Sequence, residues 1–229
     1  MYIMLTCFTD SIGDSVSRRA VAAIFAAATV LVNAPAAAAE FFGGIGTTGF
    51  EVGLATKLDG NKGLRVDAEF LDFGRTFENN GATYDTKLKF SSLGVYGDYF
   101  LGDAFRLTAG AVLGQRKASG NGVATNGTIT INGVTYPAAG ESVAAEAKFP
   151  SFSPYLGIGF GHAQSSKGLN FYFDAGVAFG KAEAKITPSA GLLAAAGQTN
   201  IDAEERNLQD SVNKLKLFPA VKFGLGYSY

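Results

Sequence analysis

From position 49 onward, apolar residues recur at every second position, and the positions between them are small, polar or charged. In GLRVDAEF (63–70), Leu64, Val66, Ala68 and Phe70 share one side, and Arg65, Asp67 and Glu69 share the other. A period of two places successive side chains on opposite faces of a β-strand. GFEVGLATK (49–57) sets Phe50, Val52 and Leu54 against Glu51, Gly53, Ala55 and Lys57. RLTAGAVLG (106–114) sets Leu107, Ala109, Ala111 and Leu113 against Arg106, Thr108 and Gly110, with Val112 breaking the rule. SPYLGIGFG (153–161) and GLNFYFDAGVAFG (168–180) behave alike, the latter opposing Phe171 and Phe173 to Tyr172 and Asp174. FPAVKFGLGYSY (218–229) alternates Val221, Phe223, Leu225, Tyr227 and Tyr229 with Lys222, Gly224, Gly226 and Ser228. KLKFSSLGVYGDYF (87–100) alternates and then loses phase near Ser91 and Ser92, which predicts a bulge.

Two architectures produce two-faced strands. A soluble sandwich buries the apolar face, whereas an outer-membrane barrel turns it to lipid and fills the lumen with the other. The stretches are long, near the roughly 9–11 residues a tilted membrane strand needs. Their second faces are rich in Gly and Ala, which suits a narrow interior. Charged residues make up only 17 % of the chain against 47 % hydrophobic, and glycine reaches 30 residues, both off the soluble average. The expected fold class is all-β: a closed antiparallel transmembrane β-barrel of eight strands, with one short amphipathic helix before the last.

Seven strands are clear, and an even ring requires an eighth. EFFGGIG (40–46) is one source, though short, and an unrecognised strand within 181–199 is the other. DGNKG (59–63), LGDA (101–104) and QSSKG (164–168) read as short periplasmic turns; ENNGATYD (78–85), 118–143 and the segment after Lys185 read as longer outside loops. Within 118–143, ITINGVTY carries an Asn-Gly hairpin signal and reads as an extracellular hairpin, not barrel wall. In 201–217, Ile201, Leu208, Val212 and Leu215 fall on one helical face, with Asp202, Glu204 and Glu205 at its start, Lys214 and Lys216 near its end, and Pro219 as its stop. That helix either packs on the barrel rim or plugs the lumen.

The first 39 residues read as an export signal. Arg18 and Arg19 precede the apolar AVAAIFAAATVLV (20–32), and NAPAAAAE follows with small residues. Cleavage is expected near Ala39 and Glu40, leaving 40–229 as the barrel. Asp10 and Asp14 suit a leader poorly, so translation is expected to begin near Val16. Cys7 is the only cysteine, so the mature barrel has no thiol chemistry.

The final stretch resembles the C-terminal signature of bacterial outer-membrane barrels, with Tyr229 where Phe is commoner. The chain over about 40–229 resembles the small outer-membrane barrel families related to OmpW- and OmpX-like proteins. The resemblance implies that Phe223, Leu225, Tyr227 and Tyr229 are read by the barrel-assembly machinery. It also implies outer-membrane lipid as surroundings and a monomer.

Candidate chemistry lies in the lumen: Glu51, Asp67, Glu69 and Asp174 with Arg65, Arg106 and Lys222, joined by Lys87 and Lys89 if their strand keeps phase. Buried charges must pair, so an interior ion-pair network is expected, and a conduit lining is the alternative. His162 stands three residues before Ser165, and a serine nucleophile needs a base. Period two, however, sends His162 toward lipid near the periplasmic edge, so no catalytic site is expected. Gly43, Gly44 and Gly46 are too weak a nucleotide motif in a β context. No cofactor or metal site is expected, and a net charge of −1 argues against nucleic acid. The functional expectation is a structural or surface-interaction barrel; the alternatives are a narrow channel for small molecules and, more remotely, a lipid-acting enzyme.

Overall fold

The computed structural model describes residues 39–58, 60–79, 82–125, 127–162, 167–214 and 216–229; the leader reading and Ser165 lie outside them. The strands are β1 (Ala39–Gly46), β2 (Gly49–Lys57), β3 (Lys62–Asn79), β4 (Ala82–Phe100), β5 (Phe105–Ala124), β6 (Thr128–Ile131), β7 (Val134–Pro137), β8 (Ser142–Lys148), β9 (Phe152–Phe160), β10 (Gly168–Phe179), β11 (Glu183–Pro188) and β12 (Leu217–Ser228). Helices α1 (Ala190–Ala196) and α2 (Gln198–Val212) precede β12. None of the described helices is long and apolar enough to cross a membrane.

All pairings are antiparallel, and the main sheet closes on itself. β1 to β5 follow in order, β12 bridges β1 and β10, and β5 pairs with β8 and β9 at its two ends. β8 and β9 form one broken strand. Pro150, which has no N–H to give a ladder, lies in the gap, while Phe149 N–H and Gly114 N–H keep the wall joined through Arg116 O (2.9 Å) and Ser151 O (2.8 Å). β10 and β11 continue each other in the same way, against β9 and β8. The ring therefore has eight staves, and β1 is the eighth. β11 is a second strand, lying in the segment expected as a long loop.

The wall is lopsided. β3, β4 and β5 run 18, 19 and 20 residues, while β1 and β2 run 8 and 9. The tall side rises beyond a membrane's thickness, and we call that end distal, opposite the end where β1 begins and β12 finishes. Outward positions over the lower wall are apolar and exposed, including Phe50, Leu107, Ile158, Phe171 and Phe223.

β4 corrects the expected bulge. Its pairing with β3 and β5 runs unbroken from Ala82 to Phe100, and even-numbered residues point inward throughout the lower half. The apolar phase switches because the surroundings switch. Leu93, Val95 and Tyr99 face outward at membrane height, whereas Phe90 faces inward above it. Lys87 and Lys89 consequently stand exposed on the outer wall, outside the lumen.

The distal end is capped. The wall extends further than the expected 118–143 loop allows, because β5 continues to Ala124 and β8 starts at Ser142. β6 and β7 form a separate hairpin whose turn, Asn132 and Gly133, has φ of 49° and 75°, the left-handed pair that Asn-Gly supplies. This hairpin is tucked in: Ile131 packs with Ala124, Ala138, Ile186, Leu192, Ala196 and Ile201 in one aliphatic cluster. α2 starts at Gln198 and ends at Val212, not at 201 and 217. Its acidic residues thus sit past the first turn, Lys214 and Lys216 lie beyond its end, and Pro219 is inside β12. The helix packs on the rim, where Glu205 and Gln209 accept the N–H groups of Ile186 (2.8 Å) and Ala184 (2.7 Å). Two side chains one helical turn apart thus cover the free edge of β11, which sheets otherwise expose to stray pairing.

Candidate functional site

Inside the ring the inward faces of six strands deliver one to three polar side chains each to a common layer. β3 supplies Arg65, Asp67 and Glu69; β2 supplies Glu51; β4 supplies Tyr96 and Asp98; β5 supplies Arg106 and Thr108; β10 supplies Tyr172 and Asp174; β12 supplies Lys222. All are buried.

They sort into two ion-pair groups. In the first, Arg65 bridges Asp98 (3.2 Å) and Asp174 (2.9 Å), and Arg106 bridges the same two carboxylates at 3.5 and 2.6 Å. Thr108 donates its hydroxyl to Asp98 at 2.6 Å. The planar guanidinium of Arg65 engages both carboxylates through separate N–H groups, Nε to Asp98 and Nη1 to Asp174. In the second group, Lys222 Nζ contacts Glu51 (2.8 Å), Asp67 (3.0 Å) and Glu69. Tyr172 donates to Glu51 at 2.5 Å and Ser92 to Glu69 at 2.8 Å. The carboxylates of Glu51, Asp67 and Glu69 converge as metal ligands would, but the Lys222 ammonium holds the point of convergence. Tyr96 joins the groups, its ring centre 4.9 Å from the Arg65 guanidinium and 5.6 Å from Lys222 Nζ.

Glycines make room for these side chains. A Cβ at Gly159 would lie 2.2 Å from Arg106 Nη1, and one at Gly176 would lie 2.3 Å from the Tyr155 hydroxyl. Pairing is not complete, since the Tyr96 hydroxyl and Arg106 Nη1 have no hydrogen-bond partner among the described residues. The layer is buried throughout but not saturated.

Two further groups sit above and below. At the neck, Arg116 bonds Ser153 (2.5 Å) and lies 5.6 and 5.4 Å over the rings of Phe149 and Phe218; Phe90 meets Phe218 edge-on at 5.4 Å. Near the terminal end, Glu40 bonds His162 and accepts from Ser228 at 3.2 Å. His162 is 2 % exposed, against rings of Phe42 (4.6 Å) and Tyr172 (4.4 Å). It does not face lipid. β9 ends at Phe160, and positive φ at Gly161 (88°) and His162 (58°) turn the chain inward, so the strand's alternation no longer applies.

Of the residues read from the sequence, Glu51, Arg65, Asp67, Glu69, Arg106, Asp174 and Lys222 meet in this layer. Asp98, Tyr96, Tyr172, Glu40 and Arg116 were missed, and His162, expected toward lipid, is buried inside. Asp98 and Tyr96 share the parity of Ser92 and Phe100 in β4, so counting back from Phe100 finds them once the phase switch is understood. Phe223, Leu225, Tyr227 and Tyr229 point outward and are exposed, and β12 is paired on both sides, with Tyr229 N–H on Ala39 O at 3.2 Å.

No family model matches the chain, and no curated protein matches it. Among solved structures it is similar to CarO2 of Acinetobacter baumannii, with a TM-score of 0.61 at 20 % identity over 84 % of this chain and 99 % of that one. It is also similar to CarO of the same organism, with a TM-score of 0.57 at 18 % identity over 84 % of this chain and 97 % of that one. The chain has the fold of a small bacterial outer-membrane β-barrel. An eight-stranded barrel of this kind is just wide enough for side chains to fill, and this one fills itself with charge. A layer held by carboxylate, guanidinium and ammonium groups from six strands can tie the wall together and block the axis.

Proposed function

We propose that this chain is an integral outer-membrane barrel with a closed interior, a structural or surface-interaction role and no catalytic site, its working surface being the distal cap. One observation carries the reading: ion pairs cross the ring, Arg65 of β3 meeting Asp174 of β10, four staves away in a ring of eight. Arg65, Arg106 and Lys222 are shared among five carboxylates, which ties the inward charges to one another instead of leaving them to line a water path. The apolar outer wall supports a position in lipid, with the tall side carrying the hairpin and both helices out of it. In keeping with that location, residues 1–39 act as a cleaved leader, and the outward aromatic residues of β12 serve the assembly machinery.

Single-channel recording in planar bilayers tests the reading. A closed barrel gives no stepwise conductance. Regular steps from the wild-type protein, altered in size or ion preference by Asp174→Asn, would establish the narrow channel instead. The leader is checked by the mass of the barrel recovered from membranes, which is expected to begin near Glu40; an intact residue 1 would overturn it.

A further inference from the structure

The outer wall carries a charge pattern of its own. Above membrane height β3, β4, β5, β8 and β11 lie side by side, and their registers stack outward residues in rows. One row reads Asp72, Lys89, Lys117, Lys148, Glu183. The next, further from the membrane, reads Gly74, Lys87, Ser119, Glu146, Lys185. Three lysines are therefore direct cross-strand neighbours on three adjacent strands. Like charges directly opposite destabilise an antiparallel pair. Glu146 relieves part of this, bonding Lys117 and reaching Lys148 at 2.6 Å. Lys87, Lys89 and Lys185 are exposed and make no ion pair among the described residues. Between these strands lies a groove of about 760 Å³ whose lining includes Asp85, Lys87, Ser119, Glu146, Lys148 and Lys185.

The height of the rows decides what meets them. Four residues back toward the terminal end from Lys89, Lys117 and Lys148 stand Leu93, Leu113 and Phe152, themselves one outward row. Four residues span about 13 Å along a strand, and less in height because barrel strands tilt. A side chain there leaves the acyl layer and enters the headgroups. Basic residues beside a bilayer are attracted to anionic lipid, and phosphate is the headgroup that ammonium groups hold best at that depth.

We propose that this lysine face binds the phosphate groups of an outer-leaflet lipid headgroup, with the lipid's acyl chains against Leu93, Leu113 and Phe152. The bound phosphate bridges Lys89 and Lys117 and draws in Lys87 or Lys185 from the row above, supplying the counter-charge that Glu146 alone does not. Asp72 and Glu183 end the row of three lysines on either side.

Native mass spectrometry of the purified barrel in neutral detergent tests this, with three probes: a bis-phosphorylated glucosamine lipid, the same lipid dephosphorylated, and phosphatidylcholine. Wild type is expected to retain the phosphorylated lipid about tenfold more than either other probe. The combined variant Lys89→Gln, Lys117→Gln, Lys185→Gln is expected to lose that preference, while Lys62→Gln with Lys167→Gln at the opposite end keeps it. Equal retention of the phosphorylated and dephosphorylated lipids by wild type would overturn the proposal without any variant. So would an unchanged preference in the triple variant. Displacement of the lipid by inorganic phosphate at equal concentration would also overturn it, since the site would then be one for the free ion. The outcome does not depend on conductance, so this proposal and the closed-barrel reading fail separately.

Discussion

Arg106 and Ala124 point inward from the same face of the same strand, β5, yet they live in opposite chemistries. Arg106 is pinned between Asp98 and Asp174. Ala124, toward the distal end, packs with Ile131, Leu192 and Ile201. The difference lies outside the wall. Where lipid surrounds the barrel, apolar side chains gain by facing out, and the inward face is left to polar groups that must satisfy one another. Where water surrounds it, the inward face is apolar and the outer face carries lysines. One strand thus reads as a membrane protein below and as a soluble domain above.

The largest effect is expected in the lower region. Lys222→Met leaves Glu51, Asp67 and Glu69 facing each other without their cation, and removing one partner of a buried pair costs about 3–5 kcal/mol. Urea unfolding in lipid vesicles measures it. Adding Glu51→Gln, Asp67→Asn and Glu69→Gln should recover most of the loss, because buried polar groups without charge carry a smaller desolvation cost; no recovery would mean that Lys222 matters for its shape.

Next comes the cap. Leu192 is 0 % exposed, and Leu192→Ala should cost about 2–5 kcal/mol. This loss should stay local: amide exchange rises in α1, α2 and the β6–β7 hairpin, while the barrel still migrates faster unboiled than boiled in SDS. A barrel destabilised equally by both substitutions would erase the distinction between the two regions.

A charge on the lipid face probes the boundary between them. Leu156 points outward from the middle of β9, and Leu156→Lys should cost about 2–4 kcal/mol in vesicles. The same swap at outward Ser119, above the boundary, should cost close to nothing.

Smaller still is the pH response of the cap wall. Hydrogen bonds from Lys117 and Lys148 hold the Glu146 carboxyl below the usual carboxylate range. A carboxylate lowered in the folded state contributes stability above its unfolded pKa and loses it as pH falls through the folded value. Stability is therefore expected to drop slightly on acidification below the ordinary Glu range, and Glu146→Gln should flatten that part of the profile.

Period-two alternation was enough to find most of the wall, because a strand with unlike surroundings on its two sides must alternate. It also located Glu51, Arg65, Asp67, Glu69, Arg106, Asp174 and Lys222, since a charge on the inward face of a narrow ring has nowhere else to go. Alternation failed where its premise failed. At Ser91 and Ser92 the solvent outside changed from lipid to water, and the apolar phase moved across without any bulge. At His162 the strand had ended, and two left-handed residues sent the side chain inward.

What the amino-acid order determined by itself was the class of surface each residue seeks: apolar toward lipid, charge toward charge, Asn-Gly toward a turn. Only the tertiary structure decided which charges meet. Asp98 and Arg65 are 33 residues apart, and Arg65 and Asp174 are 109 apart. Those pairs exist because the ring closes at one circumference and one register, and neither quantity is written in a local pattern. The same closure decided that α2 covers the edge of β11 and that three lysines from three strands share one row.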